Sequence, residues 1–213
     1  MDYEIPEIYQ RQRELNIRPI RHAVVGAGGI GAWISILSAM SGDDVHVFDD
    51  DILEIHNLNR LPFTVSDVGE KKVVVLEKML KEMGRKIHGY PVRITSAYQL
   101  SLVDPEFVTF ATDRLHAICP VITDVEKELG IPFAVVNYDG DHLTIRFNIN
   151  PADEFDVDPE QSGYTITPSW VVPPIFIASI VVYHIHRFPQ HKFVISGDLG
   201  KLIIRMKEVR TNE

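Results

Sequence analysis

Residues 23–31 read Ala-Val-Val-Gly-Ala-Gly-Gly-Ile-Gly, and three aspartates at 49–51 follow eighteen residues later. This order predicts a buried strand, a glycine-rich turn, a helix, and a second strand that ends in carboxylates. Gly26 and Gly28 would let backbone N–H groups approach a phosphate, and the last glycine would let helix and strand pack closely. Asp49 is placed to accept hydrogen bonds from a ribose hydroxyl. The stretch indicates an adenine-nucleotide site, for which NAD is the first ligand to consider.

The segment after the second strand carries more polar groups than a dehydrogenase needs. Its twelve residues include Asp49, Asp51, Asn57, Asn59 and Arg60, which bring carboxylates, amides and a guanidinium together. Lys71 and Lys72 follow at the start of a predicted helix, and either could supply a mobile charge. Amides and guanidinium groups suit phosphate oxygens and a bound metal. We therefore expect a nucleotide whose phosphates react.

These residues resemble the pattern of the ThiF/MoeB/ubiquitin-activating-enzyme superfamily. That pattern contains Gly-x-Gly-Gly-x-Gly, Asp-x-Asp, Asn-x-x-Arg, Gly-x-x-Lys and a Thr-Asp that ends a later strand, in this order. The matching positions here are 26–31, Asp49 with Asp51, Asn57 with Arg60, Gly69 with Lys72, and Thr112 with Asp113. The resemblance runs from about Tyr9 to Arg210.

The resemblance implies an enzyme, an adenylyltransferase that uses ATP and Mg²⁺ to convert a C-terminal carboxylate into an acyl adenylate. The implied partner is a ubiquitin-like or sulfur-carrier protein, or a peptide. The implied ATP-binding residues are Gly26, Gly28, Gly29, Gly31, Asp49, Asp51, Asn57, Arg60 and Lys72. Asp113 is the implied magnesium ligand. Arg60, Lys72 and Asp113 are also implied as catalytic, since positioning and charge neutralisation carry this chemistry.

The N-terminal segment 9–12 is similar to the family segment whose arginine reaches the ATP of the partner subunit. Arg11 is therefore a candidate catalytic residue that acts in trans, and a homodimer is expected. A solvated helical arginine is the alternative reading of Arg11.

Two departures from the family pattern bear on the chemistry. Arg114 and Ile118 stand where the family often has asparagine and arginine. Cys119 is the only cysteine of the chain, so the crossover region has no cysteine and the chain has no Cys-x-x-Cys zinc site. We read Cys119 as a small buried hydrophobe. A thioester on this chain is therefore not expected, and the adenylate would pass to an external nucleophile.

Alternating strands and helices predict an α/β, Rossmann-like, doubly wound and mainly parallel sheet with a C-terminal antiparallel extension. We expect one domain over 1–213, with an N-terminal helix in 1–18 and a nucleotide-binding core in 19–138. An acidic crossover loop at about 150–168 and a helix with a hairpin in 169–213 complete it. Strands are predicted at 21–26, 44–49, 90–96, 106–111 and 132–138, and helices at 4–15, 29–41, 70–88, 115–129 and 169–187. Asp49 and Asp113 would then end two strands and share one crevice.

Composition restricts the partners. The net charge of −9 argues against binding nucleic acid through non-specific electrostatics. The N-terminus has no apolar signal region, and the apolar run Trp170–Tyr183 is broken by Pro173 and Pro174 and is too short to span a bilayer. A cytoplasmic protein is expected.

Three other functions remain open at this point. A tRNA-modifying cyclase of the same superfamily shares these motifs, including a tryptophan two residues after the last glycine, as at Trp33. A non-catalytic nucleotide-binding subunit would bind ATP without turnover. An NAD-dependent oxidoreductase would prefer NAD and would not need Arg60 or Lys72.

His184 and His186 are two residues apart on a predicted helix, so their side chains would point to different sides of it. They therefore make a poor metal pair.

Overall fold

The computed structural model describes residues 6–153 and 168–208. Its eight strands form one sheet in the order β3-β2-β1-β4-β5-β6-β7-β8. The first five strands in this order pair in parallel, and β6, β7 and β8 continue the sheet with antiparallel pairing. The strands are β1 (Arg21–Val25), β2 (Asp44–Phe48), β3 (Ile87–Tyr90), β4 (Phe107–Phe110), β5 (Phe133–Asp139), β6 (His142–Phe147), β7 (Phe193–Asp198) and β8 (Ile203–Glu208).

Helices cover both faces of the sheet. They are α1 (Gly29–Ser41), α2 (Lys72–Glu82), α3 (Ala97–Ser101), α4 (Leu115–Asp124) and α5 (Val172–Arg187), and α4 continues as a π-helical turn over Val125–Leu129. Shorter 3₁₀ segments are Glu7–Leu15, Ile55–Asn59, Val65–Asp67 and Pro151–Asp153.

Period-two alternation along β1 divides the core between the two faces. Val24 packs in the cluster that α1, α2 and α5 cover, whereas Ala23 and Val25 pack in the cluster that α3 and α4 cover. Successive side chains of a strand point to opposite faces, so a strand with consecutive buried residues, as at 22–25 of β1, is buried on both faces. The predicted Rossmann-like, doubly wound sheet with an antiparallel extension is confirmed.

Two element boundaries were predicted wrongly. The helix predicted over 70–88 ends at Glu82, and the strand predicted at 90–96 is Ile87–Tyr90. Gly84 explains the difference, because it has a φ of +70°, which ends the helix and lets the chain turn into β3. Helix α3 was not predicted, and the N-terminal helix is a 3₁₀ segment rather than an α-helix.

The apolar run at 170–183 falls largely within α5, which packs against α1. Among the residues that the structure describes, no helix is long and apolar enough to cross a membrane. The predicted acidic loop at about 150–168 lies mostly outside those residues.

Candidate active site

The glycine turn between β1 and α1 has a shape that only glycine allows at two positions. A Cβ on Gly31 would lie 1.9 Å from the carbonyl oxygen of Gly26, and a Cβ on Gly26 would lie 2.5 Å from that of Ala111. Gly26 also has a φ of +101°. Both glycines therefore let the strand, the turn and the helix approach each other closely.

The N–H of Gly26 is used inside the sheet, where it donates to the carbonyl oxygen of Phe48 at 2.8 Å. A contact of Gly26 with a nucleotide stays a prediction. Gly28 caps the N-terminus of α1, where the first N–H groups have no partner within the helix. A Cβ on Gly28 would meet nothing within 4 Å, so this end of α1 is open to a ligand. Gly28 and Gly29 therefore form the helix N-terminus at which an anion could bind free N–H groups.

Asp49, directly after β2, joins the turn to the strand end. One carboxylate oxygen accepts the N–H of Ala27 at 2.6 Å, and the other accepts the N–H of Asp51 at 2.7 Å. Each carboxylate oxygen has two acceptor sites, so both can still bind a hydroxyl. The side chain thus holds the turn in shape and keeps acceptors for a ribose.

Lys72 is the first residue of α2 and is only 8 % exposed. Its Nζ donates to Oδ2 of Asp51 at 2.9 Å, which balances a buried ammonium. The neighbouring Lys71 turns the other way and donates to the carbonyl oxygen of Asp50 at 2.5 Å. Lys72, rather than Lys71, borders the cavity beside the glycine turn.

Arg60 lies over the start of α1. A Cβ on Gly29 would lie 3.0 Å from Cδ of Arg60, so the missing side chain makes room for the arginine. Its guanidinium donates to Oδ1 of Asn59 at 3.0 Å, and its carbonyl oxygen accepts the indole N–H of Trp33 at 2.8 Å. Asn59 in turn donates to the carbonyl oxygen of Ser169 at 2.7 Å. These bonds fix the loop that carries Arg60 to the edge of the cavity.

Asn57 takes another position. It is 5 % exposed, and its Oδ1 accepts the N–H of Glu54 at 3.1 Å, which caps the segment Ile55–Asn59. It is not among the described residues that line the cavity beside the turn. Its amide oxygen therefore shapes the loop before Arg60, and a phosphate contact by Asn57 stays a prediction.

Two adjoining cavities of about 260 and 300 Å³ lie at the carboxyl ends of the parallel strands. The two cavities form one crevice because they share five lining residues. These are Gly26, Asp49, Asp51, Thr112 and Asp113. Asp49 follows β2, and Asp113 lies three residues beyond β4. The side chains from these two strand ends therefore border one crevice at the point where the strand order reverses.

The two halves of the crevice differ in chemistry. The smaller half is mainly apolar, with walls from Val25, Phe48, Val92, Ile94, Ala117 and Ile118. The larger half contains the glycine turn, Arg60, Lys72, Asn137, Tyr138 and Ser169. Asp113 is exposed and lines both halves, so it marks their junction. We name the smaller part the apolar half and the larger part the cationic half, after the side chains that distinguish them. The carboxylates of Asp49, Asp51 and Asp113 line both halves, and Arg93 and Arg114 also line the apolar half. Apolar walls beside a glycine turn with two cations suit a base joined to phosphates.

Arg93 is a site residue that the sequence reading missed. Its guanidinium forms two bonds to Asp50, at 3.2 and 2.9 Å, and it lines the apolar half. The hydrogen bond from Arg93 lowers the pKa of the Asp50 carboxyl and raises the pKa of the guanidinium. The position of Arg93 just after β3 could have indicated a residue at the crevice. The prediction of a strand over 90–96 instead placed Arg93 inside the strand.

Tyr138 and Ser169 were also missed as site residues. Tyr138 lies in β5, and its hydroxyl hydrogen-bonds that of Ser169 beside Gly29. The order of the sheet could have indicated Tyr138, since β5 is the last parallel strand and its carboxyl end faces the crevice. Ser169 had no comparable signal, because it lies far along the chain from every motif.

Arg11 lies at the other end of α1. Tyr9 donates its hydroxyl to the carbonyl oxygen of Ala39, and Gln12 donates to that of Met40, so the segment Glu7–Leu15 packs near the C-terminus of α1. A helix of thirteen residues is about 20 Å long. The exposed Arg11 is therefore remote from the crevice of its own chain.

The carboxylates of the crevice differ in how well they could hold magnesium. Asp49, Asp50 and Asp51 bring their oxygens within 4.8 Å of one another, but Asp50 is paired with Arg93 and Asp51 with Lys72. The exposed Asp113 could hold Mg²⁺, which keeps several waters and takes one or two carboxylates together with phosphate oxygens.

Cys119, in α4, is partly buried. Burial raises the pKa of its thiol, which disfavours the thiolate that acts as a nucleophile.

Comparisons with known proteins agree with the fold and the motifs. Residues 3–162 match the model of the ThiF family. Ubiquitin-like modifier-activating enzyme 5 of Drosophila ananassae is 31 % identical over 145 residues, which are 68 % of this chain and 32 % of that protein. The chain thus spans about a third of the length of that relative.

Solved structures share the fold at low identity. Escherichia coli MccB with AMPCPP and MccA gives a TM-score of 0.77 at 15 % identity, over 95 % of this chain and 71 % of MccB. MccB with MccA-N7isoASN gives 0.74 at 17 % identity, over 95 % and 67 %. PaaA gives 0.71 at 19 % identity, over 97 % and 68 %. With three quarters of its residues matched by the family model, the chain belongs to the ThiF family.

Proposed function

We propose that this chain is an ATP-dependent adenylyltransferase that activates the C-terminal carboxylate of a ubiquitin-like protein, a sulfur-carrier protein or a peptide. The observation that carries the proposal is the divided crevice, with an apolar half, a cationic half, and the exposed Asp113 where they join. A hydride-transfer enzyme has no use for both Arg60 and Lys72 beside the phosphates.

The two halves indicate how ATP would lie. The base would occupy the apolar half, Asp49 would bind the ribose, and the triphosphate would extend toward Gly28, Arg60 and Lys72. The α-phosphate would then be near Asp113, at the junction. Mg²⁺ held by Asp113 would neutralise charge on the phosphate oxygens.

The reaction then follows from the order of these groups. A carboxylate oxygen of the substrate attacks the α-phosphorus, the bond between that phosphorus and the bridging oxygen to the β-phosphate breaks, and pyrophosphate leaves with the electron pair. Negative charge grows on the leaving pyrophosphate, and the cations Arg60 and Lys72 stabilise it. The N-terminus of α1 adds fixed N–H donors.

The open end of the cationic half is where a carboxylate would enter. Tyr138 and Ser169 border it on the side away from the apolar half. The names of the relatives support a polypeptide substrate, since one activates a ubiquitin-like modifier and MccB was crystallised with both AMPCPP and MccA.

We propose that no thioester forms on this chain. Cys119 is the only thiol, and burial keeps the pKa of that thiol raised. The adenylate would therefore be released to an external nucleophile.

Exchange of labelled pyrophosphate into ATP tests this function. We expect exchange with β-grasp proteins or peptides that have a free C-terminal carboxylate, and none with the same polypeptides as C-terminal amides. Asp113→Ala should abolish exchange. Preference for NAD over ATP in equilibrium titration, or exchange that persists in Asp113→Ala, would overturn the proposal.

Arg11 is proposed to reach the crevice of a partner subunit. It lies about one helix length, that of α1, from the crevice of its own chain. Mixing inactive Arg11→Ala and Asp113→Ala subunits tests this. A mixed dimer would contain one complete site, so about a quarter of the wild-type activity should return. No recovery in dimers shown to exchange subunits would contradict action in trans.

A further inference from the structure

Three metal-ligating side chains meet at the edge of the sheet that is remote from the crevice. Asp44 is the first residue of β2, His46 lies two positions on, and His88 lies beside His46 in the register of β2 with the edge strand β3. Residues two apart on a strand share a face, so all three side chains lie on one face. The cluster is near the amino ends of these strands, whereas the crevice is at their carboxyl ends.

The donor atoms have the separations that a metal site needs. Oδ1 of Asp44 is 3.6 Å from Nε2 of His46 and 3.3 Å from Nε2 of His88, and each residue has one ligand atom within 4.8 Å of those of the other two. Ligands about 2 Å from a tetrahedral ion are roughly 3.3 Å apart. The rings of His46 and His88 are stacked, with centroids 4.7 Å apart and planes 19° apart, so the two imidazoles would have to tilt toward each other to direct both lone pairs at one ion.

Oδ1 of Asp44 is a buried oxygen that accepts no hydrogen bond within the part of the chain that the structure describes. The other oxygen, Oδ2, is 2.6 Å from Nζ of Lys86. A buried carboxylate oxygen usually has a donor or a cation, and an ion held between Oδ1 and the two Nε2 atoms would supply one.

The ring of His46 is held in the orientation that a ligand needs. Its Nδ1 is 3.0 Å from the hydroxyl of Tyr90, and Tyr90 itself stacks on Phe48. Metal-bound imidazoles usually bond a fixed group through their second nitrogen, which sets the tautomer and points the other nitrogen at the ion. Tyr90 can accept the Nδ1–H and leave the Nε2 lone pair free.

We propose that Asp44, His46 and His88 bind a divalent transition-metal ion of the Zn²⁺ class, with water in the remaining position. Two imidazoles and one carboxylate are a ligand set that Zn²⁺ accepts. Because the site bridges the edge strand β3 to β2 and is remote from the crevice, the ion stabilises the sheet edge and takes no part in nucleotide chemistry.

Metal titration of the untagged, full-length protein tests the site. We expect one Zn²⁺ per chain by competition with a chromophoric chelator, and visible d–d bands of tetrahedral intensity with Co²⁺. Zn²⁺ should raise the Tm by several degrees, since an ion that binds only the folded state stabilises it. A chelator should reverse the shift.

Variants separate this site from general imidazole binding. His88→Gln, at a half-exposed position, should weaken Zn²⁺ binding more than about 10-fold, the smallest loss typical of a supporting partner. His142→Gln is the matched control, because Nε2 of His142 also lies 3.3 Å from a carboxylate, that of Asp198, but among the described residues this pair belongs to no cluster of three metal-ligating side chains. This control should bind Zn²⁺ as the wild type does.

Lys86→Met gives a test in which zinc affinity is expected to rise rather than fall. Removal of the ammonium beside Asp44 should tighten Zn²⁺ binding several-fold, because a cation that competes for the carboxylate is gone. The proposal is overturned if wild-type protein binds Zn²⁺ no better than His46→Gln/His88→Gln, or if Lys86→Met leaves the affinity unchanged.

Discussion

Nζ of Lys72 lies 2.9 Å from Oδ2 of Asp51, which ties the first residue of α2 to the segment that follows β2. The lysine side chain is 10 % exposed and the aspartate 52 % exposed. The aspartate therefore holds a nearly buried ammonium at the border of the cationic half of the crevice. In the proposed complex with ATP, the ammonium would turn from a carboxylate to a phosphate without first losing a full shell of water.

We expect Lys72→Ala to reduce pyrophosphate exchange by about 100-fold or more, the usual loss when one charge-stabilising donor is removed. Asp51→Asn should reduce it less, because the lysine remains but is held more loosely. Lys71→Ala is the control, since Nζ of Lys71 bonds a backbone carbonyl and does not line the cationic half. Equal losses in Lys71→Ala and Lys72→Ala would show that the two lysines are not distinguished as the geometry implies.

The glycine turn makes a prediction about stability that is separate from catalysis. Gly31→Ala would place a Cβ 1.9 Å from a backbone oxygen, so strand and helix must move apart. We expect a loss of about 3 kcal/mol or more in the free energy of unfolding, which lowers the Tm by roughly 6–12 °C.

Gly28→Ala is the matched substitution. A Cβ there meets nothing within 4 Å, and the residue has an ordinary φ of −75°. Its Tm should stay within about 2 °C of the wild type, while ATP binds more weakly because the new methyl lies at the helix N-terminus. If both variants unfold at the same temperature, the close contact between Gly31 and Gly26 is not what makes glycine necessary.

Much of the fold could be predicted because its signals are local. Strand β1 ends in the apolar run 23–25, β2 alternates polar residues with valines, and the glycines at 26–31 mark the turn between strand and helix. Residues that line the crevice were predictable where an ordered motif carried them to a strand end, as for Asp49. The predicted end of α2 was wrong because Gly84 has a positive φ, which turns the chain just beyond the helix. The period-3.6 pattern of apolar residues does not indicate this turn.

The unpredicted part of the site depends on tertiary contacts. Asn57 fits the family motif, yet its amide oxygen accepts a hydrogen bond from the backbone of its own loop. Motif spacing does not show whether such a side chain bonds the local backbone or a ligand. Ser169 meets Tyr138 across 31 residues of chain, and Trp33 reaches the carbonyl of Arg60 across 27. Such pairs form only after the sheet is assembled, so no window of sequence contains them.

Arg93 is expected to contact the nucleoside rather than the phosphates. It lines the apolar half and is absent from the residues around the cationic half, so Arg93→Ala should weaken ATP binding several-fold and leave inorganic pyrophosphate binding unchanged. The Tm should change by less than about 2 °C, because an exposed ion pair contributes little to stability.

Arg18→Ala is the control for Arg93→Ala. Arg18 also pairs with an acid, Glu106, but it is exposed and does not line the crevice. Both titrations can be followed by calorimetry with Mg²⁺ present. An equal loss of pyrophosphate and ATP affinity in Arg93→Ala would place the triphosphate, rather than the base, beside this residue.

The acid stability of the protein should depend on His22. This residue of β1 is fully buried, with Nδ1 2.7 Å from Oγ of Ser38 and Nε2 2.8 Å from Oγ1 of Thr109. Burial lowers its pKa from 6.5 to about 4, while the nearby Asp43 acts in the opposite direction and His186 in the same one. Above pH 6.5 the imidazole is neutral in both folded and unfolded chains, so it adds no pH dependence there.

As the pH falls from 6.5 to 4, the unfolded chain binds a proton at His22 that the folded chain does not. Folding stability is therefore lost over this window, by about 3 kcal/mol for a pKa displaced to about 4, and the loss levels off below it. Urea unfolding at several pH values should show this slope in the wild type. His22→Gln keeps a side chain that can bond both hydroxyls but does not titrate, so its stability should fall less over the same window. Because the carboxylates titrate in both proteins, the difference between the two curves isolates His22, and parallel curves would contradict the assignment.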